Sequence, residues 1–294
     1  MNQHIRDRIG PLIAIGGAED KTSERRILAR VLESAPEDRR AVGIVTTASQ
    51  IPDEIFPQYD AAFTELGASE VVHLDIRSRE DAADAAMAAR IEGLGVVFIS
   101  GGDQLRLTHV FGGSAVLEAI RAHRLRGGVV AGTSAGAAAM SSTMIYNGAA
   151  ADALRKGAVK MAAGLGFVDW IVIDSHFLER GRFTRLMEVG ATNPEFLGIG
   201  IGEDAAVEFH DGEILEAIGN GHVIVVDSSH LKSSNVAALS DGEPVAVEHV
   251  VMHALTEGCG YQIRERRFLS PDGLNTTKEG ESIADLGAES AQGT

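Results

Sequence analysis

Ser134 stands in the motif Gly132-Thr133-Ser134-Ala135-Gly136, which has the spacing of a nucleophile elbow. A Val-rich run precedes the motif and an Ala-rich run follows it, so the sequence predicts a buried strand, a sharp turn and a helix. The flanking glycines are needed where strand and helix converge, and the turn imposes a strained backbone on the serine. The hydroxyl then projects at the positive end of the helix. A tight turn without chemistry is the alternative interpretation of a lone match.

A serine hydroxyl becomes a nucleophile only when a base takes its proton, and His176 is the favoured base among ten histidines. It follows the predicted strand 170–173, which we expect to end at the same sheet edge as Ser134. The carboxylate that orients a catalytic imidazole would be Glu203 or Asp204, because both follow an apolar, Gly-rich run. The residues alone leave both acids open.

Two further groups of residues fit acyl transfer. An oxyanion requires backbone amides, which Ala135 at the helix start and Gly102 at a glycine-rich strand exit can supply. Arg180, Arg182 and Arg185 begin the helix after the predicted base. In a chain of net charge −16, these arginines favour carboxylate clamps, with surface salt bridges as the alternative.

The elements that must position these residues alternate along the first half of the chain. Short apolar strands alternate with amphipathic helices, one of them predicted over residues 79–91. This pattern predicts an α/β fold with a largely parallel, doubly wound sheet and helices on both faces. In such sheets, ligands bind at the carboxyl ends of the strands.

The second half of the chain has a different pattern. From Leu197 onward, short strands separated by turns such as Asp211-Gly212 predict an antiparallel strand region. We expect a single hydrolytic domain over residues 1–270. Residues 271–294 hold few large apolar side chains, so they are predicted to form a mobile polar tail.

Composition narrows the possible classes of protein. No apolar run approaches the ~18 residues of a membrane span, and the polar start of the chain lacks a secretory signal, so we expect a cytoplasmic protein. The single cysteine, Cys259, excludes an internal disulfide and a thiolate metal cluster. The acidic charge argues against nucleic-acid and membrane partners. Gly16-Gly17 lacks the third glycine of a dinucleotide fingerprint, and we expect neither a metal nor an organic cofactor.

Five motifs, in chain order, resemble those of the cyanophycinases, a family of serine exopeptidases in the dipeptidase E clan. They are Gly101-Gly102-Asp103-Gln104, Gly132 to Ala137, Asp174-Ser175-His176-Phe177, Arg180-x-Arg182-x-x-Arg185-Leu186 and Gly198 to Glu203. The resemblance implies a fold like that of class I glutamine amidotransferases, with serine replacing cysteine. It also implies a homodimer that hydrolyses cyanophycin, a poly-aspartate whose side chains carry arginine, and releases β-aspartyl-arginine dipeptides from the C-terminal end of the polymer.

The resemblance also implies roles for individual residues. Ser134 would be the nucleophile, His176 the general base and then acid, and Glu203 the orienting carboxylate. The positions matching substrate-binding residues are Gln104, Asp174, Ser175, Arg180, Arg182 and Arg185. Among these, the arginines are expected to hold substrate carboxylates, and Asp174 is expected to meet a substrate guanidinium.

Two departures from the family pattern bear on specificity. Ser175 stands where the family has glutamine in Asp-Gln-His-Phe, and Gly202-Glu203-Asp204 stands where the family has Asp-Glu. The first removes an amide that would touch substrate, so a short β-aspartyl peptide is an alternative to the whole polymer. The sequence is also compatible with a dipeptidase E-like hydrolase of α-linked aspartyl dipeptides, and with a peptide-binding protein without catalysis.

Overall fold

The structure, a computed structural model, describes residues 9–210 and 212–278. Its strands are β1 (Leu12–Ile15), β2 (Ala41–Val45), β3 (Glu70–Leu74), β4 (Val96–Ile99), β5 (Val129–Thr133), β6 (Thr143–Asn147), β7 (Lys160–Ala163), β8 (Ile171–Asp174), β9 (Leu197–Ile201), β10 (Ala205–His210), β11 (Ile214–Gly219), β12 (Val223–Asp227), β13 (Ser233–Ser234), β14 (Val247–Glu248), β15 (Val251–Leu255), β16 (Gly260–Gln262) and β17 (Arg267–Leu269). Its helices are α1 (Arg26–Glu33), α2 (Pro52–Glu65), α3 (Arg79–Ala83), α4 (Ala85–Ala89), α5 (Gln104–Phe111), α6 (Ala115–Leu125), α7 (Ala135–Ala138), α8 (Phe183–Thr192) and α9 (Pro271–Lys278).

The larger sheet has the strand order β17-β16-β11-β10-β1-β5-β4-β2-β3 within the described residues. Strands β1 to β5 pair in parallel, and β10, β11, β16 and β17 extend the sheet with antiparallel pairs. β1, β4 and β5 are buried along their whole length because helices cover both faces. The α/β class and the large parallel section agree with the sequence-based prediction.

A second sheet, in the order β15-β12-β9-β8, carries the strands that lead to the predicted base and acid. We expected residues 170–173 to end at the same sheet edge as Ser134. This expectation is wrong, because β8 belongs to the second sheet and Ser134 follows a strand of the larger one. β10 occupies the free edge of β1 through antiparallel pairing, so β8 pairs with β9 instead. The two sheets still meet at the end that bears the site, since the His176 amide donates to Gly16 O at 2.8 Å and the Asp204 amide to Gly17 O at 3.0 Å.

The helix predicted over residues 79–91 is divided into α3 and α4. Asp84 lies between them with φ −69° and ψ 120°, and its carboxylate accepts a hydrogen bond from the Ala86 amide. A short polar side chain that caps a new helix competes with continuation of the preceding one. The periodicity of the apolar residues does not reveal this competition.

The segment after residue 270 begins with ordered structure. Residues 271–278 form α9, and Leu274 on this helix is buried. Leu274 packs against the sheet, where a Cβ added at Gly260 of β16 would lie 2.8 Å from its Cδ1, and the polar composition of the segment does not reveal this contact. Residues 1–8, Asp211 of the predicted turn and residues 279–294 lie outside the described residues. None of the helices in the described part of the chain has the length and apolar character that a membrane crossing requires.

His123 on α6 is a buried histidine remote from the predicted chemistry. Its side chain is buried beside the start of β5. There Nε2 is 3.2 Å from Val129 O, and Nδ1 has no hydrogen-bond partner among the described residues. Burial disfavours the imidazolium and lowers the pKa of His123 from 6.5 to about 4.

We therefore expect His123 to make the fold sensitive to acid. Between pH 6.5 and 4 the unfolded chain binds a proton at this residue that the folded chain does not, so stability falls as the pH falls. Urea unfolding of wild type and His123→Gln should show their difference in unfolding free energy shrinking by about 3 kcal/mol between pH 7 and pH 4. The exposed His109, replaced by Gln, is the control. A constant difference between wild type and His123→Gln would contradict this account.

Candidate active site

Ser134 lies between β5 and α7 with φ 52° and ψ −108°, a backbone conformation that residues other than glycine rarely adopt. The flanking glycines leave no room for a side chain. A Cβ at Gly132 would lie 2.8 Å from the carbonyl carbon of Gly136, and a Cβ at Gly136 would lie 2.4 Å from Ile99 O. The Ser134 amide donates to Ile15 O at 2.9 Å, which fixes the turn to β1.

His176 connects the serine to a carboxylate. Ser134 Oγ lies 3.0 Å from His176 Nε2, and His176 Nδ1 lies 2.7 Å from Glu203 Oε1. An ionised carboxylate only accepts hydrogen bonds, so the imidazole proton lies on Nδ1 and the Nε2 lone pair faces the serine hydroxyl. This is the arrangement in which an imidazole takes a proton from a serine.

The geometry separates the two acids that the sequence leaves open. Glu203 contacts the imidazole, whereas Asp204 turns away into the loop with φ 50°. Asp204 Oδ1 accepts from the Asp20 amide at 3.3 Å, and its Oδ2 accepts from Asn220 Nδ2 at 2.9 Å. Glu203 is therefore the partner of His176, and Asp204 stabilises the loop that presents it.

The residues predicted to hold an oxyanion adjoin the serine. Ala135 is the first residue of α7. A Cβ on Gly101 would lie 3.2 Å from Ser134 Cβ, so this strand exit runs directly beside Ser134. Gly102 follows with φ 145°, where a side chain would collide with Ala48 O. Their function as oxyanion donors stays a prediction.

The predicted substrate-binding residues are partly engaged with one another. Asp174 is 2% exposed and lies between two arginines. Arg182 Nη1 donates to Asp174 Oδ1 at 2.9 Å, and Arg185 Nε approaches Asp174 Oδ2 at 3.1 Å without the alignment of a hydrogen bond. Burial raises the pKa of Asp174 and lowers the pKa of both guanidinium groups, while their mutual attraction opposes each of these shifts.

We call Asp174, Arg180, Arg182 and Arg185 the arginine cluster. The expected division, with Asp174 free for a substrate guanidinium, does not match these contacts. Arg180 is exposed, and its side chain has no hydrogen bond or ion pair to other described residues. One carboxylate against three guanidinium groups leaves the cluster positive, which suits an anionic ligand.

Gln104 and Ser175 also have contacts within the protein. Gln104 Nε2 donates to Ile145 O at 2.9 Å and so ties the start of α5 to β6. The carbonyl oxygen of Ser175 accepts from Arg182 Nη1 at 2.6 Å, and the residue is 6% exposed. Their roles in substrate binding stay predictions.

The sequence profile of Peptidase family S51 matches residues 12–217, which is well over half of the chain and includes Ser134, His176 and Glu203. The chain belongs to peptidase family S51. Similar proteins include the cyanophycinase of Trichormus variabilis, which is 38% identical over 260 residues that cover 88% of this chain and 87% of that protein. The cyanophycinase of Geminocystis herdmanii is 35% identical over 262 residues, covering 89% of this chain and 95% of that protein.

A solved structure agrees on the fold of this S51 member. The crystal structure of a peptidase from an acI-B1 actinobacterium matches with a TM-score of 0.66 at 19% identity, covering 87% of this chain and 97% of that one. At this identity the likeness concerns the fold alone.

One residue that positions the imidazole in this S51 peptidase escaped the sequence analysis. Gly17 has φ 107°, and a Cβ there would lie 2.4 Å from His176 Cε1. The sequence presents Gly16-Gly17 only as an incomplete match to a dinucleotide fingerprint. The role of Gly17 follows from the junction of the two sheets, which no local signal reveals.

Gly17→Ala should displace the imidazole from Ser134. A misplacement of about 1 Å costs on the order of 10²-fold in rate. We expect a loss of this size in the rate at which a fluorophosphonate labels Ser134. Gly67→Ala is the matched control, because Gly67 has a similar φ of 88° but nothing within 4 Å of its added Cβ. Labelling of Gly17→Ala at the wild-type rate would contradict the positioning role.

A group of side chains outside this site has metal-ligand chemistry. Within residues 9–210 and 212–278, the ligand atoms of Glu208, His210 and Glu216 lie within 4.8 Å of one another. Arg30 already pairs with Glu208 at 2.7 Å and with Glu216 at 3.3 Å. The Arg30 guanidinium thus lies between the carboxylates, where a metal ion would otherwise bind. We assign the group to an ion-pair network.

Proposed function

We propose that this S51 peptidase is a serine exopeptidase that hydrolyses cyanophycin to β-aspartyl-arginine dipeptides through an acyl-enzyme. The observation that carries the proposal is the continuous relay from Ser134 Oγ through His176 to Glu203, with contacts of 3.0 Å and 2.7 Å. The relatives named cyanophycinase, at 35–38% identity over most of the chain, support the choice of substrate.

The relay supports the following mechanism. His176 Nε2 takes the proton of Ser134 as Oγ attacks the carbonyl carbon, and the negative charge forms on the carbonyl oxygen. The amides of Ala135 and Gly102 stabilise that oxyanion. The carbon–nitrogen bond then breaks while His176 gives its proton to the leaving amine. Water, deprotonated by His176, releases the acyl group and regenerates the serine.

The turn at Ser134 favours a nucleophile elbow in this mechanism. A positive φ on a serine between a buried strand and a helix is a costly conformation, which is typical of residues held for function. His176 at φ 47° and Asp204 at φ 50° share this property. Among the described residues, three of the nine non-glycine residues with positive φ thus lie in or next to the proposed relay.

The arginine cluster suits the carboxylates of cyanophycin, since every arginine in the polymer carries a free carboxylate. In our proposal, Arg180 contacts a substrate carboxylate directly, because its guanidinium is exposed and unengaged among the described residues. Asp174 holds Arg182 and Arg185 in place instead of contacting a substrate guanidinium. Gln104 and Ser175 complete the binding surface.

We also propose a homodimer that acts in the cytoplasm, without a cofactor and without nucleic-acid or membrane partners. The net charge of −16 supports the exclusion of polyanionic partners. We infer a single hydrolytic domain whose end lies past residue 270, because α9 packs Leu274 into the interior.

Purified enzyme incubated with cyanophycin tests the proposal when the released products are identified by mass. We expect β-aspartyl-arginine dipeptide. Short β-aspartyl-arginine peptides and α-linked aspartyl dipeptides are tested in parallel. Cleavage of α-linked dipeptides alone would favour a dipeptidase E-like hydrolase. Failure of a fluorophosphonate to label Ser134 would indicate a peptide-binding protein.

A further inference from the structure

A pocket of about 180 Å³ adjoins the proposed catalytic residues. Its lining includes Ser134 and His176 together with Lys21, Gln58 and Tyr59. Pockets that enclose a whole small-molecule ligand measure about 300–1,000 Å³, so this one suits a part of a ligand, such as one residue of a peptide. We call it the Lys21 pocket.

Lys21 provides the accessible charge in this pocket. Its Nζ lies 3.2 Å from Glu19 O and 3.1 Å from Glu19 Oε1. It also lies 5.0 Å from the centre of the Tyr59 ring, within the range of a cation–π contact. The Lys21 side chain is 22% exposed and that of Glu19 only 1%, so a ligand meets the ammonium and not the carboxylate. One ammonium donor is engaged in the hydrogen bond to Glu19 O, and the Oε1 contact is an ion pair, so the ammonium keeps a donor for a ligand.

Glu19 fixes the position of this ammonium relative to the nucleophile. Tyr59 Oη donates to Glu19 Oε1 at 2.5 Å, and Thr133 Oγ1 donates to Glu19 Oε2 at 2.7 Å. Thr133 directly precedes Ser134 in the chain. Both oxygens of this buried carboxylate are therefore satisfied, and the lysine is anchored to the turn that carries the nucleophile.

We propose that Lys21 binds the backbone α-carboxylate of the terminal aspartyl residue on the leaving side of the scissile bond, and is thereby the residue that gives the proposed exopeptidase its preference for the C-terminal end. The inference rests on the proposed function. His176 protonates the leaving amine, so the residue that carries this amine lies beside His176, where the Lys21 pocket is. The pocket holds about one residue, and a free backbone α-carboxylate on aspartate exists only at the chain end, so only a chain end places that group there. Other charged groups lining the pocket are Glu19, which is paired, and His176.

The test uses a dimer of β-aspartyl-arginine with a single scissile bond. It is prepared in two forms, in which the α-carboxyl group of the C-terminal aspartyl residue is either the free acid or the amide, and the arginine carboxylates are the same in both. Wild type should cleave the acid with a kcat/KM about 10- to 100-fold above that of the amide, the range expected for a charge-assisted hydrogen bond. In Lys21→Met this ratio should fall to near one, chiefly through a higher KM for the acid. Lys21→Arg should restore part of the preference, since it keeps a cation.

Further variants separate binding from packing. Glu19→Gln combined with Lys21→Met avoids leaving a buried carboxylate unpaired, and it should lose the acid preference in the same way. Lys232→Met, at an exposed lysine between β12 and β13, should keep the wild-type ratio. The rate at which an uncharged fluorophosphonate labels Ser134 should stay near the wild-type value in Lys21→Met, because that reagent has no carboxylate.

The outcomes distinguish the inference from the proposed function. Cleavage by wild type with an acid-to-amide ratio that Lys21→Met leaves unchanged would overturn the inference alone. An equal loss for acid, amide and fluorophosphonate labelling would also overturn it, because it would show that Lys21 only supports the turn. If wild type cleaves neither peptide, the proposed function fails and the inference fails with it.

Discussion

Replacement of Ser134 by alanine should lower the rate of dipeptide release from cyanophycin by about 10⁴-fold or more. The variant lacks the oxygen that His176 Nε2 contacts at 3.0 Å, so no acyl-enzyme can form. KM should change little, because the arginine cluster and the Lys21 pocket stay intact. Initial rates of dipeptide release, followed by mass, give the measurement.

Folding must be checked separately for this variant. Alanine at φ 52° carries the same backbone strain as serine, so the urea midpoint of Ser134→Ala should lie close to that of wild type. Ser229→Ala, at an exposed serine, is the matched control and should keep full activity. Residual turnover near the wild-type rate in a folded Ser134→Ala protein would exclude this serine as the nucleophile.

The second large effect is expected from Glu203→Gln, which should lower kcat by about 10³- to 10⁴-fold. Glutamine is nearly isosteric with glutamate, so the loop should keep its shape. Its amide cannot stabilise the imidazolium that forms during attack. The amide can also donate to His176 Nδ1, which moves the imidazole proton to Nε2 and removes the base.

Asp204→Asn is the matched control for the neighbouring acid. Asparagine tolerates the φ of 50°, and its one acceptor oxygen can keep the contact with the Asp20 amide. Its NH2 group can donate to Asn220 once the side-chain amide of Asn220 rotates, so activity should stay within a few-fold of wild type. Measured kcat values for both variants decide between the acids. A severe loss in Asp204→Asn together with a mild loss in Glu203→Gln would contradict the assigned relay.

Local sequence patterns predict those features of the site that depend on a few neighbouring residues in the chain. The turn at Ser134 is recognisable because a tight strand-to-helix turn needs small residues at fixed spacing, and added Cβ atoms at Gly132 and Gly136 would collide with the backbone. His176 and the acids at 203 and 204 follow apolar strands, so their convergence could be anticipated from strand ends. The choice of Glu203 over Asp204 could not, because it depends on the direction of each side chain in one turn.

Contacts between distant segments account for what the sequence did not reveal. Asp174 forms ion pairs with Arg182 and Arg185 because the chain folds back after β8, and motif matching does not describe this contact. The Lys21 pocket joins Glu19, Tyr59 and Thr133 from three separate elements, and each has an ordinary sequence context. The assignment of β8 to a second sheet depends on competition with β10 for one edge of β1.

The most direct test of the central claim compares wild type and Ser134→Ala on purified cyanophycin, with the products identified by mass. The account predicts that wild type releases β-aspartyl-arginine dipeptide over many turnovers and that the folded variant releases essentially none. Dipeptide release by the variant at the wild-type rate, or products other than this dipeptide from wild type, would contradict it.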